Sequence, residues 1–322
     1  MSSGSEMQAI PIDEILVRKT LPVDIYILIA GSKYLLLGKV GADVEVLKKF
    51  KERSLDRFYV KISDYLHLVQ LAIQEGAAAS NAAGVTNLAR IKGLQQALTS
   101  VYREIEDFGM DENAFKHAKL VNHTTISFLA RNPAVTEMFS LLDAVGPSSV
   151  NHAMMVSLMA SMIGIGHGWS KPATIERLAL GGLLHDIGKT RLPADILEKK
   201  YDQMTDAEKT IFNSHAEVGS QMLLQVKSVP EDVVLMIKEH HELVDGTGVP
   251  NKMKDLFMSP LAKVIALADR VVEILEDSDP RLRKVPSVVL DLIENNHPGQ
   301  YNKDAITALR RVIPKHGNRI AG

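Results

Sequence analysis

The pattern of apolar and polar positions changes character near residue 63. Before it, Val23–Ala30 and Tyr34–Leu37 are short apolar runs rich in β-forming residues, separated by Gly31-Ser32-Lys33. Two such runs around a small turn predict a hairpin. Asp43 precedes Val44, Leu47 and Phe50, which repeat at helical spacing, so a short amphipathic helix capped by Asp43 is expected. Arg57–Ile62 reads as a further strand, and the leading MSSGSE as a flexible end. The first 63 residues therefore predict a small α/β or β-rich unit.

From Asp64 the period turns helical and stays so. The stretch 66–108 predicts a helical connector of two helices, broken within the Ala-rich run GAAASNAAG. Gly109 and Asp111 mark the next stop and start. Helices then follow at about 111–131, 134–144, 149–166, 172–186, 205–225, 230–242, 260–277, 286–295 and 303–313. Thr205 and Glu208 fit a capping box, and Pro172 and Pro230 suit first-turn positions. The expected fold class is mainly α. Residues 1–110 form an N-terminal regulatory or interaction domain, and 111–322 a helical domain.

Composition narrows the function classes. Of 322 residues, 46% are hydrophobic, which leaves ample material for a core. Lys and Arg number 37 against 39 Asp and Glu, so the basic face that long nucleic acid demands is missing. A small anionic ligand met by a few local cations stays open. The chain has no cysteine, so a bound metal must use nitrogen and oxygen ligands. Met1–Ile10 lacks the basic start and apolar core of a secretory signal. The most apolar stretch, Ala153–Ile165, is too short to span a bilayer. A cytoplasmic protein without a membrane span is expected.

One set of residues points to chemistry. His185 and Asp186 stand side by side in LLHDIGK, with His152 upstream, His215 downstream, the doublet His240–His241 in EHHE, and Asp269 in IALADR. Imidazole nitrogens and carboxylate oxygens bind divalent transition metals when no thiolate is offered. Five histidines and two aspartates exceed the needs of one ion but suit two sharing a bridging carboxylate, which predicts a two-metal hydrolytic site. His185 and Asp186 end an apolar helix, with Gly188 expected to supply a left-handed stop. Adjacent helical residues point about 100° apart, so Asp186 is placed to reach across and bridge. Asp269 lies in an apolar run where an unpaired carboxylate would be costly.

Each of these residues has a plainer reading alone. His152 and His215 would be hydrogen-bonded core residues, Asp186 a cap, Asp269 the partner of a buried arginine, and the DGTG at 245–248 a surface turn. His67, His117, His123, His167, His297 and His316 have no surrounding motif and keep the plain reading. Joint occurrence separates the seven from them.

The run from about Asp111 to the C-terminus resembles the HD-GYP domain, a branch of the HD phosphohydrolase superfamily. Five blocks match in order: His152 near a helix start, HDIGKTRLP at 185–193, the segment ending in His215 and Gly219, HHELVDGTGVP at 240–250, and IALAD ending at Asp269. The resemblance implies a helical fold and two divalent metal ions, iron first with manganese as the alternative. It implies hydrolysis of cyclic di-GMP by a metal-bridging hydroxide, to the linear dinucleotide and in some members on to GMP. His152, His185, Asp186 and Asp269 would hold one ion, and Asp186, His215, His240 and His241 the other. Lys189 matches the lysine that contacts a substrate phosphate or the nucleophile.

Departures from the pattern fall elsewhere. Val249 replaces the GYP tyrosine, Ala216 a proline, and Val272 a second aspartate. The segment 279–284 replaces Arg-Pro-Tyr-Arg and leaves Arg281, Arg283 and Lys284 as candidate substrate contacts. Ser148 stands where members with three metals carry glutamate, which favours two. With the metal ligands complete and the substrate contacts altered, three functions are expected to compete. One is a cyclic di-GMP phosphodiesterase whose N-terminal domain regulates it or recruits a protein partner. Another is a catalytically weak metal-bearing receptor for a cyclic dinucleotide, or a docking module. The third is an HD hydrolase of another phosphoester.

Overall fold

Strand alternation explains the N-terminal architecture. In β4 (Arg57–Lys61), Phe58 and Val60 are fully buried while Arg57 and Lys61 are exposed and Tyr59 is half-buried, the period-two pattern of a half-buried strand. A computed structural model describes residues 7–16, 18–30, 33–52, 55–131, 148–277 and 286–313. The chain divides into two compact units, Met1–Ala72 and Ile73–Gly322.

The first unit runs β1 (Met7–Pro11), α1 (Ile12–Leu16), β2 (Ile25–Ala30), β3 (Lys33–Gly38), α2 (Glu45–Lys51) and β4. The strands form one antiparallel sheet in the order β1-β4-β2-β3. The predicted hairpin is β2–β3, with Tyr26 opposite Leu36. Strand β1 was not expected from the pattern. It has no clean alternation and ends in proline, yet it pairs along the whole of β4, with Ile10 opposite Phe58. Pro11 at the strand end is where a missing N–H is tolerated. The cap of α2 also differs in detail. Val44 occupies the cap position without a side-chain bond, and Asp43 acts from one residue earlier, its Oδ1 accepting the Glu45 N–H at 2.8 Å.

Helix α3 (Ile62–Asn81) starts in the first unit and continues into the second. The break after it falls within the predicted run. Gly84 takes a left-handed φ of 73°, and Thr86 caps α4 (Asn87–Phe108) by accepting from the Ala89 N–H at 3.2 Å. Then come α5 (Glu112–Arg131), α6 (Ser149–His167) and α7 (Pro172–Leu184). A 3-10 turn (Ile187–Arg191) leads to α8 (Ala194–Leu197), α9 (Asp206–Asn213), α10 (His215–Leu224) and α11 (Glu231–Glu239). The described chain closes with α12 (Pro260–Asp277), α13 (Pro286–Asn296) and α14 (Lys303–Val312). The predicted helix 134–144 lies outside the described residues, as do Arg281, Arg283 and Lys284.

Helix α6 is the core of the second unit. It extends beyond the apolar run Ala153–Ile165, and by length and composition it could cross a membrane, but 78% of its apolar window is buried inside the protein. Apolar on all sides, it behaves as a core helix, packed by α4, α5, α7, α12 and α14. The fit against α7 is tight, since a Cβ on Gly182 would lie 2.5 Å from the Ser157 Cα.

The predicted helix 205–225 is two helices rather than one. The chain turns at Ser214, whose hydroxyl donates to the Ile211 carbonyl at 2.6 Å and whose N–H is taken up by Thr210 and Ile211. With these groups satisfied locally, the first helix ends at Asn213 and His215 opens a new one. Pro230 likewise sits at the cap of α11 rather than in its first turn.

Candidate metal centre

Five elements deliver the seven predicted ligands to one place. His152 comes from the first turn of α6, which Ser148 caps by accepting from the Asn151 N–H at 3.1 Å. His185 and Asp186 follow the end of α7, His215 opens α10, His240 and His241 follow α11, and Asp269 lies mid-way along α12. They form two groups, Asp186 with His215, His240 and His241, and His152 with His185 and Asp269. In each group the donor atoms lie within 4.8 Å of one another. His185 and His215 are fully buried, and Asp186, His240 and Asp269 nearly so.

Asp186 stands between the groups. Its Oδ1 lies 3.2 Å from His215 Nε2 and 3.8 Å from His240 Nε2. Its Oδ2 lies 3.4 Å from His185 Nε2 and 4.0 Å from His152 Nε2. One carboxylate oxygen thus faces each set of imidazoles, as the sequence predicted for a bridge. Gly188 makes this possible by its size. It is not in the left-handed backbone expected of it but inside the 3-10 turn. A Cβ there would fall 2.0 Å from the His215 carbonyl oxygen and 2.6 Å from the Gly219 nitrogen. The turn carrying Asp186 can therefore lie directly against the start of α10.

Backbone carbonyls orient most of the imidazoles. His185 Nδ1 donates to Gly182 O at 2.8 Å, His215 Nδ1 to Phe212 O at 2.6 Å, and His240 Nδ1 to Ile237 O at 2.7 Å. A carbonyl only accepts, so a proton sits on each Nδ1 and each Nε2 is the nitrogen turned toward the site. Yet His215 and His240 point Nε2 at Nε2 across 3.1 Å. With each Nδ1 already donating, two Nε2 atoms face each other there, an arrangement that a shared cation suits. Asp186 Oδ1 adds to this as a buried oxygen without a well-directed hydrogen bond. The donor sets are nitrogen and oxygen only and suit divalent metal ions.

His152 is held differently. Its Nδ1 meets Glu276 Oε2 at 3.0 Å, and its Nε2 lies 3.0 Å from Asp269 Oδ1 and 3.3 Å from His185 Nε2. Burial disfavours its charged form, but the hydrogen bonds it donates to Asp269 and Glu276 outweigh that and hold its pKa well above the ordinary value. A proton at Nε2 then occupies the direction a cation would take. A carboxylate behind a ligating histidine fixes the ring and raises its basicity. Glu276 carried no motif in the sequence; only the fold places it.

The field of the site favours ionised carboxylates and neutral doublet histidines. Burial alone would raise Asp186, but His185 and Lys189 hold it well below the usual carboxylate range. Asp269 is lowered in the same sense, against burial, by His152 and His185. Burial, with His241 and His215 as neighbours, lowers His240, and burial, with His215 as neighbour, brings His241 down to about 3. Burial opposes the charge of Lys189, but Asp186 raises its pKa. Its Nζ donates to Asp186 Oδ2 at 2.5 Å and lies 5.1 Å from the Phe212 ring centre.

The groups open onto a cavity of about 1010 Å³ lined by His152, Asp186, Lys189, His240, His241 and Asp269 among others. Val249 lines it too, so the position of the missing tyrosine belongs to this cavity. Tyr201 and Phe212 contribute an edge-to-face aromatic pair with ring centres 5.6 Å apart. Arg270, Glu273, His297 and Gln300 also line the wall. Burial first, and the charge of Asp269 next, push Glu273 up to about 7. Val272 and Ala216 are core residues outside this lining. The other motif residues are structural. Asp245 Oδ1 accepts from the Thr247 N–H at 2.9 Å in a surface turn. Buried Glu242 holds the following loop by accepting from the Asn251 and Met253 N–H groups.

Comparison with known proteins agrees with this geometry. The family described as HD domain matches residues 126–303. A cyclic di-GMP phosphodiesterase of Pseudomonas aeruginosa is 29% identical over 223 residues, covering 69% of this chain and 48% of that protein. A 3'3'-cGAMP-specific phosphodiesterase of Vibrio cholerae is 27% identical over 180 residues, covering 56% of this chain and 38% of that protein. The chain thus spans less than half the length of either relative. Among solved structures, an HDG"Y"P protein from Bdellovibrio bacteriovorus matches with a TM-score of 0.67. It covers 95% of this chain and 99% of its own at 19% identity, a likeness of fold.

Proposed function

We propose a function on the premise that the chain belongs to the HD domain family, and within it to the HD-GYP branch. The reading is a binuclear-metal phosphodiesterase that hydrolyses cyclic di-GMP. The observation that carries it is Asp186, one oxygen toward each group of histidines. His152, His185, Asp186 and Asp269 would hold one divalent ion, and Asp186, His215, His240 and His241 the other, with iron first and manganese as the alternative. When bound, such a pair supplies Lewis-acid charge for the phosphodiester and makes water acidic enough to attack at neutral pH.

The protein's own residues do the rest. Asp186 is held ionised by His185 and Lys189, so it needs to lose no proton to act as a bridge. The carbonyl-anchored imidazoles turn their Nε2 atoms toward the site. Lys189 places a cation at the cavity wall, where a phosphoryl oxygen gathers negative charge in the transition state. The N-terminal domain, taken as residues 1–110, serves regulation or recruits a protein partner, and 111–322 is the catalytic domain of a cytoplasmic enzyme.

A second reading has one observation in its favour. Val249 lines the cavity where a phenol would donate to substrate, which suits a metal-bearing cyclic dinucleotide receptor of low turnover. The experiment that separates the two is cleavage of cyclic di-GMP by iron- or manganese-loaded protein beside Asp186→Ala. Products from the parent alone support the enzyme. Tight binding without products supports the receptor, and equal products from both remove the assignment.

A further inference from the structure

Helix α4 is bonded to both ends of the segment 183–191, which carries His185, Asp186 and Lys189. At one end the Tyr102 hydroxyl donates to the Leu183 carbonyl at 2.7 Å. That carbonyl lies in the last turn of α7, where no further turn supplies N–H partners. The carbonyl beside it, Gly182 O, orients His185. At the other end Arg191 reaches back to the C-terminus of α4. Its Nη2 donates to Ile105 O at 2.7 Å and its Nη1 to Glu106 O at 3.1 Å, a cation on the negative end of a helix. Ile105 and Glu106 follow Tyr102 by three and four residues, so one face of α4 holds both ends. Burial first, and the charge of Asp186 next, push the Tyr102 phenol up, which keeps it a donor.

The far end of α4 uses the same kind of contact. Arg90, in its first turn, donates to the Ser80 and Ala82 carbonyls at the end of α3, the latter at 2.8 Å. The two helices cross backbone to backbone. A Cβ on Gly93 would lie 2.6 Å from Gly76 O, and one on Gly76 would lie 2.4 Å from Gly93 O. Glycines at the crossing leave no flexible side chain to absorb a shift, so α3 and α4 move as one body. An arginine from each element thus grips the end of the helix before it: Arg90 holds α3, and Arg191 holds α4. On its other side the segment is closed by Gly188 against the backbone of His215.

We propose that α3 and α4 form a control arm for the metal centre, with Tyr102 and Arg191 as the positioning residues that set Asp186 and Lys189. A displacement of the arm moves the turn carrying Asp186 against His215, and the spacing of the two ligand groups changes with it. Neither Tyr102 nor Arg191 lines the cavity, so both act through the residues between them. The effect on turnover rests on the phosphodiesterase reading above, whereas hydrogen exchange and the metal signal report on the arm without substrate.

The test compares R191M, R191K, Y102F and R90M with the parent, all as full chains. Amide hydrogen exchange of residues 183–191 is followed in the metal-free chain, electron paramagnetic resonance in the manganese-loaded chain, and kcat and KM with cyclic di-GMP. R191M and Y102F should speed exchange across the segment and alter the coupling signal of the manganese pair. Their kcat should fall about ten- to a hundredfold, the cost of a displaced catalytic group, with KM nearly unchanged. R191K keeps a cation and a donor and should recover part of each loss. R90M is the sharpest arm, because Arg90 sits at the end of α4 away from the metal turn; it should move all three readouts the same way by less. Parent-like exchange, resonance and kcat in R191M and Y102F overturn the inference. An R90M that lowers the melting temperature and nothing else overturns it too. If the parent holds a manganese pair and cleaves no cyclic di-GMP, the phosphodiesterase reading fails, and exchange and resonance still decide this inference.

Discussion

Gly188 lies against the backbone of His215 so closely that a Cβ would stand 2.0 Å from the carbonyl oxygen. This contact sets the distance between the turn carrying Asp186 and the helix that His215 opens. Gly188→Ala must push the two apart, and overpacking of this kind costs ~1–3 kcal/mol. The expected outcome is a lower melting temperature together with weaker metal retention, measured by calorimetry and elemental analysis. A variant of unchanged stability and metal content would contradict the assigned role of Gly188.

Thr205→Ala supplies the contrast. Thr205 and Glu208 form a reciprocal capping box at α9, and losing an N-cap typically costs ~1 kcal/mol. Stability should fall by about that much while the metal content per chain stays as in the parent. Loss of metal here would mean that α9 does more than support His215.

Lys189 tests the electrostatic part of the account. Lys189→Met removes the cation bonded to Asp186 Oδ2 while keeping most of the stem. A transition-state donor of this kind contributes about a hundredfold or more in kcat. The prediction is a fall of that order in kcat with a small change in KM. A rise in KM alone would make Lys189 a binding residue.

Acid should destabilise the metal-free protein through the histidine doublet. His240 and His241 are lowered on folding, His241 to about 3, against about 6.5 in an unfolded chain. Below pH 6.5 the unfolded state therefore binds protons that the folded state refuses, and stability falls with pH. The slope approaches ~1.4 kcal/mol per pH unit for each histidine. His152 does not oppose this: its raised pKa gives stability that is fully present below 6.5 and lost only as pH rises through the folded value. Glu273, pushed up to about 7 on folding, takes up its proton first in the folded state over the same range and offsets about one histidine; melting temperatures between pH 6.5 and 4.5 should still drop, and His241→Gln should flatten the curve. A flat parent curve would show that the doublet is not held neutral.

The residues themselves explain what could be read from the chain alone. The break between α3 and α4 was legible because Gly84 and Thr86 act locally, by a left-handed backbone and a cap. The gathering of the seven side chains was legible because four of them, His185, Asp186, His240 and His241, follow helix ends. The turn at Ser214 was not, since an unbroken helical period runs through 205–225 and the bond from the Ser214 hydroxyl to the Ile211 carbonyl leaves no mark on that period. Strand β1 was missed because it is defined by its partner β4 rather than by its own pattern. Glu276 was missed for a related reason: it meets His152, which lies 124 residues away in sequence.

The central claim is that Asp186 is shared by two metal ions. Its most direct test is elemental analysis with anomalous scattering from crystals of protein purified from iron- or manganese-supplemented cells. The account predicts two ions per chain, one on each side of the Asp186 carboxylate, and a lower count in Asp186→Asn. A single ion, or none with the imidazoles still gathered around Asp186, would contradict it.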